Sequence, residues 1–334
     1  GKVLRDAFIS GANNITNNRE KIDQLNVFPV PDGDTGTNMS MTISSSVREL
    51  SRLVDPSATV VADTAASSFL RGARGNSGVI LSLLFRGISK GLKGKEEVSG
   101  EDFADALAKG VSAAYKAVMK PTEGTILTVA RIASERAAMA KSDDFLITFE
   151  AALDGAKEAL AETPEMLPVL KKAGVVDAGG KGFVIILEGM MSVFRDGVII
   201  ASNNAPAVEE NEGEEESRNA AGEFETEITF TYCTEFIVKR DDASKDPKAL
   251  RAYLESIGDC VVVVDDEEII KVHVHTEDPG KALQRGLQYG QLLTVKVENM
   301  RQQHEQAKVE NSKRQKTKLE VQEPTEEVGF VAVA

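Results

Sequence analysis

The chain reads as two folded units of different class, an all-α antiparallel bundle followed by a small α+β unit of order β-α-β-β-α-β. Three observations predict this. Apolar residues recur at helical spacing from Asn38 to about Ile200, an acidic and proline-bearing stretch then interrupts them, and beyond it the period becomes two. The length of 334 residues fits two domains, and 42% apolar content suffices for ordinary cores. The boundaries follow from these changes: a helical domain over 1–202, a linker over 203–223, an α+β domain over 224–300, and a charged tether over 301–334.

Within the first unit, Met39, Ile43, Val47, Leu50 and Val54 form one apolar stripe. Phe103, Leu107, Val111, Ala114 and Val118 form a second, and Phe183, Leu187, Met190 and Phe194 a third. Further helical stretches fall near 60–70, 77–91, 124–140 and 143–161, separated by Gly, Pro, Asp or Ser punctuation. Seven or eight helices are expected, and the many Ala and Gly residues predict close helix approach. Glu209, Glu210, Glu212, Glu214, Glu215 and Glu216 then crowd a segment that cannot bury a core, which reads as a linker.

In the second unit, Ile228, Phe230 and Tyr232 alternate with Thr229, Thr231 and Cys233, and this strand continues through Phe236 and Val238. Asp246-Pro247 opens a helix to about Ile257, strands follow at 260–265 and 268–276, Asp278-Pro279 opens a helix to about Tyr289, and a last strand spans 292–297. That order is the order of a ferredoxin-like sandwich. The chain starts on Gly1 rather than Met and closes on the apolar run Gly329–Ala334, which reads as the first strand of something further. Both ends are therefore expected to be cut from a longer protein.

Composition excludes several functions. A formal charge of −14 with no basic stripe disfavours binding to a nucleic-acid backbone. No apolar run approaches the roughly 20 residues of a membrane span, and the start has no signal-peptide blocks, so the cytoplasm is the default. Two cysteines, Cys233 and Cys260, make no disulfide framework.

The chemistry concentrates in loops that open helices. Asp32 and Asp34 lie one residue apart in NVFPVPDGDTGTN, where Gly33 and Gly36 let the backbone aim two short carboxylates inward, the arrangement a hard Mg²⁺ ion needs. The alternative is a solvated Asp-Gly turn. RGARGNSG (71–78) precedes an apolar helix, so its free N–H groups and the positive helix end suit phosphate oxygens, although a plain turn capped by Ser77 would read alike. It is neither a Walker loop nor a dinucleotide fingerprint, because it lacks Gly-Lys-Ser/Thr and no strand precedes it. PTEGT (121–125) and VDAGGKG (176–182) open two more helices, and an antiparallel bundle could gather all four loops at one rim.

In that order the four motifs resemble the nucleotide-binding domain of the dihydroxyacetone kinase L-type family, with the nearest likeness to its bacterial fatty acid kinase branch. The likeness covers roughly residues 1–200, and the Tyr-Cys-Thr-Glu and His-Val-His segments resemble that branch's middle domain. The resemblance implies an eight-helix antiparallel barrel that holds ATP with two Mg²⁺ ions at one end. It implies Asp32 and Asp34 as metal ligands essential to catalysis, with Asn26 nearest the place of a further family aspartate. It implies Thr37, Asn38, Gly75, Asn76, Ser77 and Gly78 facing phosphate oxygens, Thr125 and Asp177 lining the nucleotide, and Gly179 and Gly180 permitting close approach. Thr35 stands where the family commonly has histidine, so no role of that histidine carries over.

The function so implied is transfer of the γ-phosphoryl of ATP to the carboxylate of a fatty acid held by a separate fatty-acid-binding protein, giving an acyl phosphate. A carboxylate is its own nucleophile, so no general base is needed. No histidine occurs across residues 1–200, which argues against a phosphohistidine relay there. The alternatives are a component of a dihydroxyacetone-type small-molecule kinase and a nucleotide-sensing scaffold without transfer activity, and a homodimer stays open.

A second metal is expected in the α+β unit. His273 and His275 lie two apart on one strand and share a face opposite Ile270, Val272 and Val274. If the first and third strands are neighbours, Cys233 joins them on the sheet face free of helices, a donor set suited to Zn²⁺, with Glu235 or water completing it. Exposed strand histidines are the alternative. Because the phosphoryl chemistry is expected elsewhere, a structural or partner-linked role follows. Cys260 is expected to pack in its strand, and His304 to face solvent.

Overall fold

A computed structural model describes residues 1–118, 120–203, 228–242 and 244–317. The acidic linker falls almost wholly outside the described residues, as does the closing apolar run. The helical domain contains α1 (Lys2–Asp23), α2 (Thr35–Ser44), α3 (Val47–Leu50), α4 (Ala58–Gly72), α5 (Gly75–Gly91), α6 (Gly100–Ala117), α7 (Ile126–Ala140), α8 (Phe145–Met166), α9 (Pro168–Ala173) and α10 (Ala178–Asp196). Side-chain caps explain many of the starts. Ser57, Thr125, Asp144 and Asp177 each accept an N–H from the first turn that follows, and Ser99 with Asp102 forms a capping box.

Two details differ from what the sequence predicts. Helix α1 precedes the first apolar stripe, outside the span where helical spacing is read, and that stripe is not one helix: Met39 and Ile43 lie in α2, Val47 and Leu50 in α3, and Val54 lies beyond both, exposed. Ser45 and Ser46 turn their hydroxyls back onto the carbonyls of Thr42 and Ile43, which competes with continuation of the helix and separates the two. Small residues do bring helices together. A Cβ on Gly189 of α10 would stand 2.8 Å from the Gly11 Cα of α1, and one on Gly87 of α5 would stand 2.5 Å from the Gly110 Cα of α6. The core includes an edge-to-face trio, Phe8, Phe69 and Phe85, and a second aromatic group of Phe103, Phe145, Phe149 and Phe194.

The second domain runs β1 (Tyr232–Arg240), α11 (Lys248–Ile257), β2 (Gly258–Asp265), β3 (Ile269–Thr276), α12 (Pro279–Gly286), β4 (Gly290–Asn299), followed by α13 (Met300–Thr317). The strands order as β2-β3-β1-β4, every neighbouring pair antiparallel. One face, with Phe236, Val238, Val263, Ile270, Val272 and Val274, packs on Leu250 and Leu254 of α11 and Ala282 of α12.

The other face is the informative one. It bears no helix of its own domain, yet it is covered: Ile237, Val262, Val264 and Ile269 join the apolar core of the helical domain. Polar contacts fasten the same interface. Lys271 Nζ donates to the Ala73 carbonyl at 2.8 Å, and Val118 bridges to Val262. His304, expected in solvent, is buried against the Pro31 carbonyl with Nδ1 at 2.9 Å, because α13 folds back over the loop that follows α1. Among the described residues no helix is long and apolar enough to cross a membrane.

Candidate functional site

The docked sheet closes over the helix starts singled out in the sequence. Asp32 and Asp34 lie in the loop between α1 and α2, where Gly33 takes φ +69°. Asp34 is the residue before α2, but its carboxylate makes no capping bond. Both carboxyls are pushed above the usual range, chiefly by burial, and Asp32 further by the charge of Asp34. Asn26, itself buried, donates its amide N–H to Asp32 Oδ1 at 2.5 Å. Two half-buried carboxylates side by side, one of them held by the Asn26 amide, offer oxygen donors suited to a hard divalent cation, whose charge would remove the cost of ionising both.

Around them a cavity of about 30 Å³ is lined by Asn26, Asp32, Asp34, Thr35, Asn38, Gly75, Asn76 and Ser77 from the helical domain. Cys233, His273, His275 and Glu298 line it from the sheet, and Gln303 from α13. The Cys/His cluster is therefore not remote from the phosphate-loop cavity, as the sequence leads one to expect, but shares it. The reason is the docking of the sheet's bare face, which periodicity within either domain does not encode.

Gly75, the first residue of α5, takes φ +58°, and any Cβ there would stand 2.5 Å from Asn38 Nδ2, so a side chain at this position is strained. Its N–H donates to Glu235 Oε1 at 2.6 Å, and that oxygen also meets His273 Nδ1 at 3.0 Å. Burial alone would raise the Glu235 carboxyl, but the His273 hydrogen bond, with the charges of Lys271 and Lys296, outweighs it and holds it at about 2. A carboxylate thus sits on the N–H that the sequence assigns to phosphate.

The histidine geometry tests the second metal. His273 Nδ1 faces Glu235, and His275 Nδ1 faces Asp259 Oδ1 at 3.6 Å. Carboxylates at both Nδ1 atoms favour the tautomers protonated there, which leaves two Nε2 lone pairs facing each other at 3.2 Å. Two nitrogens on a tetrahedral zinc, each about 2.0–2.1 Å from it, stand roughly 3.3 Å apart, so this spacing fits a shared cation. One ligand atom each from Cys233, His273 and His275 falls within 4.8 Å of the others. Burial lowers His275 to about 3, so it is a neutral donor, and burial likewise holds Cys233 as a thiol until a cation claims it.

A second, larger cavity of about 280 Å³ adjoins the first and shares Pro29, Asn76 and Ser77 with it. Thr125 and Asp177 line it together with apolar side chains. Asp177 accepts from Gly180 N at 2.7 Å, and burial pushes its carboxyl to about 6. Gly179 lies outside the lining, close enough that a Cβ would be 3.4 Å from Ser77 Oγ. Cys260, expected to pack within its strand, instead lines this cavity from a break in the strand register.

Two expected residues face elsewhere. Thr37 gives its N–H and hydroxyl to Asp23 at 3.0 and 2.7 Å, and Gly78 packs against Thr42, so neither lines either of these two cavities. Asp23 is a residue that motif reading misses. Burial raises its carboxyl to about 6 despite the Thr37 bonds. A carboxylate as the last residue of a helix opposes the helix dipole, and that oddity at the end of α1 was the available signal.

Comparison with known proteins accords with this layout. A DAK2 domain matches residues 29–192, and the FakA-like middle domain of fatty acid kinases matches 229–307. Protein YloV of Bacillus subtilis is 42% identical over 309 residues, 91% of this chain and 56% of its own length. An uncharacterized protein of Staphylococcus haemolyticus is 44% identical with the same coverage, and one of Staphylococcus aureus is 42% identical over 97% of this chain and 60% of its own. The chain thus spans 56–60% of the length of these curated relatives. The crystal structure of the dihydroxyacetone kinase of C. freundii aligns with a TM-score of 0.40 and 16% identity over 57% of this chain and 34% of that one, a likeness too loose to carry an argument.

Proposed function

The chain belongs to the family in which a DAK2 domain is followed by a FakA-like fatty acid kinase middle domain, and from that premise we propose that it is the ATP-using component of a fatty acid kinase. In this reading it works in the cytoplasm on a fatty acid presented by a separate binding protein, and moves the γ-phosphoryl of ATP to the fatty acid carboxylate. The observation that carries the proposal is the meeting of Asp32, Asp34, Asn38, Asn76 and Ser77 in one cavity beside a nucleoside-sized one. The finer architecture belongs to the same reading: an eight-helix barrel, and a ferredoxin-like sandwich supported by the strand order and pairing.

Asp32 and Asp34, with Asn26 beside them, would hold the magnesium. Mg²⁺ supplies the charge neutralisation that an associated polyphosphate needs. Asn38, Asn76, Ser77 and the N-terminal amides of α5 orient the phosphates, while the docked sheet excludes water. A carboxylate oxygen of the fatty acid attacks the γ-phosphorus, the bond to the β–γ bridging oxygen breaks, and ADP leaves with that electron pair. No proton needs to move, in keeping with a helical domain without histidine. Cys233, His273 and His275 would hold Zn²⁺ at the sheet side of the cavity, where they shape its acceptor end.

Calorimetry with Asp32→Ala and Asp34→Ala tests the first half. Both variants should weaken Mg-ATP binding at least about 100-fold, as loss of a metal ligand implies. Unchanged affinity and turnover in both would sink the reading. Hydroxylamine trapping with the full-length protein and its lipid carrier tests the second half, because acyl phosphates form hydroxamates and sugar phosphates do not. Metal analysis of the purified chain should find zinc that His273→Ala and His275→Ala lose.

A further inference from the structure

We propose that the broken start of β2, Asp259–Val262 of the α+β domain, forms one wall of the pocket that takes the base and ribose of the nucleotide, so that both domains build the nucleotide site. This rests on the reading of the chain as ATP-using and adds residues from outside the domain to which nucleotide binding is assigned.

The cavity of about 280 Å³ is close to the lower end of ligand-sized pockets, roughly 300 Å³, and has two unlike walls. Ile80, Ile126 and Leu127 come from the helical domain, whose loops Asn76-Ser77, Thr125 and Asp177 lie at the same cavity. Facing them are Asp259, Cys260, Val261 and Val262. A flat base with apolar faces and a few polar edges suits such a gap, with Thr125 and Asp177 placed for the edges or the ribose hydroxyls.

Continuity argues the same way. Pro29, Asn76 and Ser77 line both this cavity and the one around Asp32 and Asp34. A ligand that is apolar and flat at one end and polyanionic at the other spans the pair. The polyanion end has a witness, since the Gly75 N–H already holds a carboxylate that reaches it from the sheet.

The strand is shaped for this position. Pairing of β2 with β3 breaks between Asp259 and Val262, and Cys260 takes φ +50°, a left-handed backbone that side chains rarely adopt. The break leaves Cys260 and Val261 out of the ladder, and both line the cavity together with Asn76 of the phosphate loop. Val262 then re-enters the ladder and bridges to Val118 at the rim. A fatty acyl chain is the poorer occupant, because it needs a long uninterrupted apolar groove, and here Asn76, Ser77, Asp177 and Asp259 interrupt the lining.

The test uses the full chain, Mg-ATP and, as a probe without a base, Mg-tripolyphosphate. Cys260→Phe should fill the cavity and weaken Mg-ATP at least 30-fold by calorimetry, while tripolyphosphate affinity stays within twofold and the melting temperature is kept. In the unmodified chain, Mg-ATP should slow amide exchange over 259–262, and tripolyphosphate should not. Wild-type affinity in Cys260→Phe, or amides in 259–262 indifferent to ATP, would overturn the proposal, as would protection by palmitate in place of ATP. If Cys260→Phe does not fold, the exchange measurement decides. Failure of the unmodified chain to bind Mg-ATP would sink the underlying reading, whereas binding that ignores the β2 wall sinks this inference alone.

Discussion

The two cavities at the domain interface share three lining residues and differ in nearly everything else. One, about 30 Å³, is ringed by carboxylates, amides, imidazoles and a thiol. The other, about 280 Å³, is mostly apolar. A single water needs about 10–15 Å³ of such space, so the polar cavity has room for a few waters or ions as it stands. What fills the tight side is the sheet: Glu235 rests on the Gly75 N–H, and the histidines close behind. On the proposed reading, a base would enter the larger cavity as it stands, whereas a polyphosphate would compete with Glu235 for the Gly75 N–H.

The sharpest way to separate the cavities is Asp34→Asn. Turnover at saturating Mg-ATP should fall roughly 1,000-fold, about 4 kcal/mol of transition-state stabilisation. Affinity for adenosine alone should stay within twofold. If calorimetry shows adenosine binding lost as well, the two cavities act as one and the contrast fails.

Next in size is a stability effect from the floor of the larger cavity. Asp177 has its folded carboxyl raised from 3.8 to about 6, so its stabilising share is complete below the unfolded value and disappears as pH rises through 6. Asn can accept the same Gly180 N–H without a charge. Asp177→Asn should therefore match the parent near pH 4 and exceed it by about 3 kcal/mol at pH 7, read from urea unfolding at each pH. A pH-independent difference would show that Asp177 is not the buried acid described.

These residues also show what a sequence can and cannot disclose. That Asp32, Asp34, Asn38, Asn76, Ser77, Thr125 and Asp177 lie at two adjoining cavities follows from Gly-bearing loops at helix starts read together with the family resemblance. The neighbour relation of β1 and β3, and with it the grouping of Cys233, His273 and His275, followed from element order and period-two alternation. The docking of the two domains was not legible. It depends on Ile237, Val262, Val264 and Ile269, which in one dimension look like any second face of a sheet. With it went the burial of His304, the place of Cys260, and the meeting of the two candidate ligand sets in one cavity. Asp23 escaped for a different reason, since it acts from the preceding helix, 14 residues before its partner Thr37.

At the seam between the cavities, Gly75→Ala should have a smaller and one-sided effect. A left-handed alanine costs roughly 1–2 kcal/mol, and its methyl meets the Asn38 amide. Affinity for Mg-tripolyphosphate and Mg-ATP should fall about 10–30-fold in calorimetry, with adenosine unaffected. Equal losses for adenosine would move the glycine's role to the base side.

The smallest effect is the most telling, because its sign is opposite. Glu235 occupies the Gly75 N–H as an anion, and with its carboxyl held at about 2 it stays charged throughout the usual pH range, so acid does not release it. Its stabilising share is present above the unfolded value and is lost only as pH falls toward 2. An incoming phosphate must therefore compete with a charged group for that N–H and endure its repulsion. Glu235→Gln keeps an acceptor but removes the charge, so Mg-tripolyphosphate should bind roughly 3–10-fold more tightly, in keeping with the 1.5–3 kcal/mol of hydrogen bonds to charged groups offset by the bond that glutamine retains. Adenosine affinity should not change. Weaker tripolyphosphate binding in Glu235→Gln would mean that the carboxylate helps hold a cation for the phosphates rather than standing in their place, and the tight cavity would then be a finished site instead of a closed one.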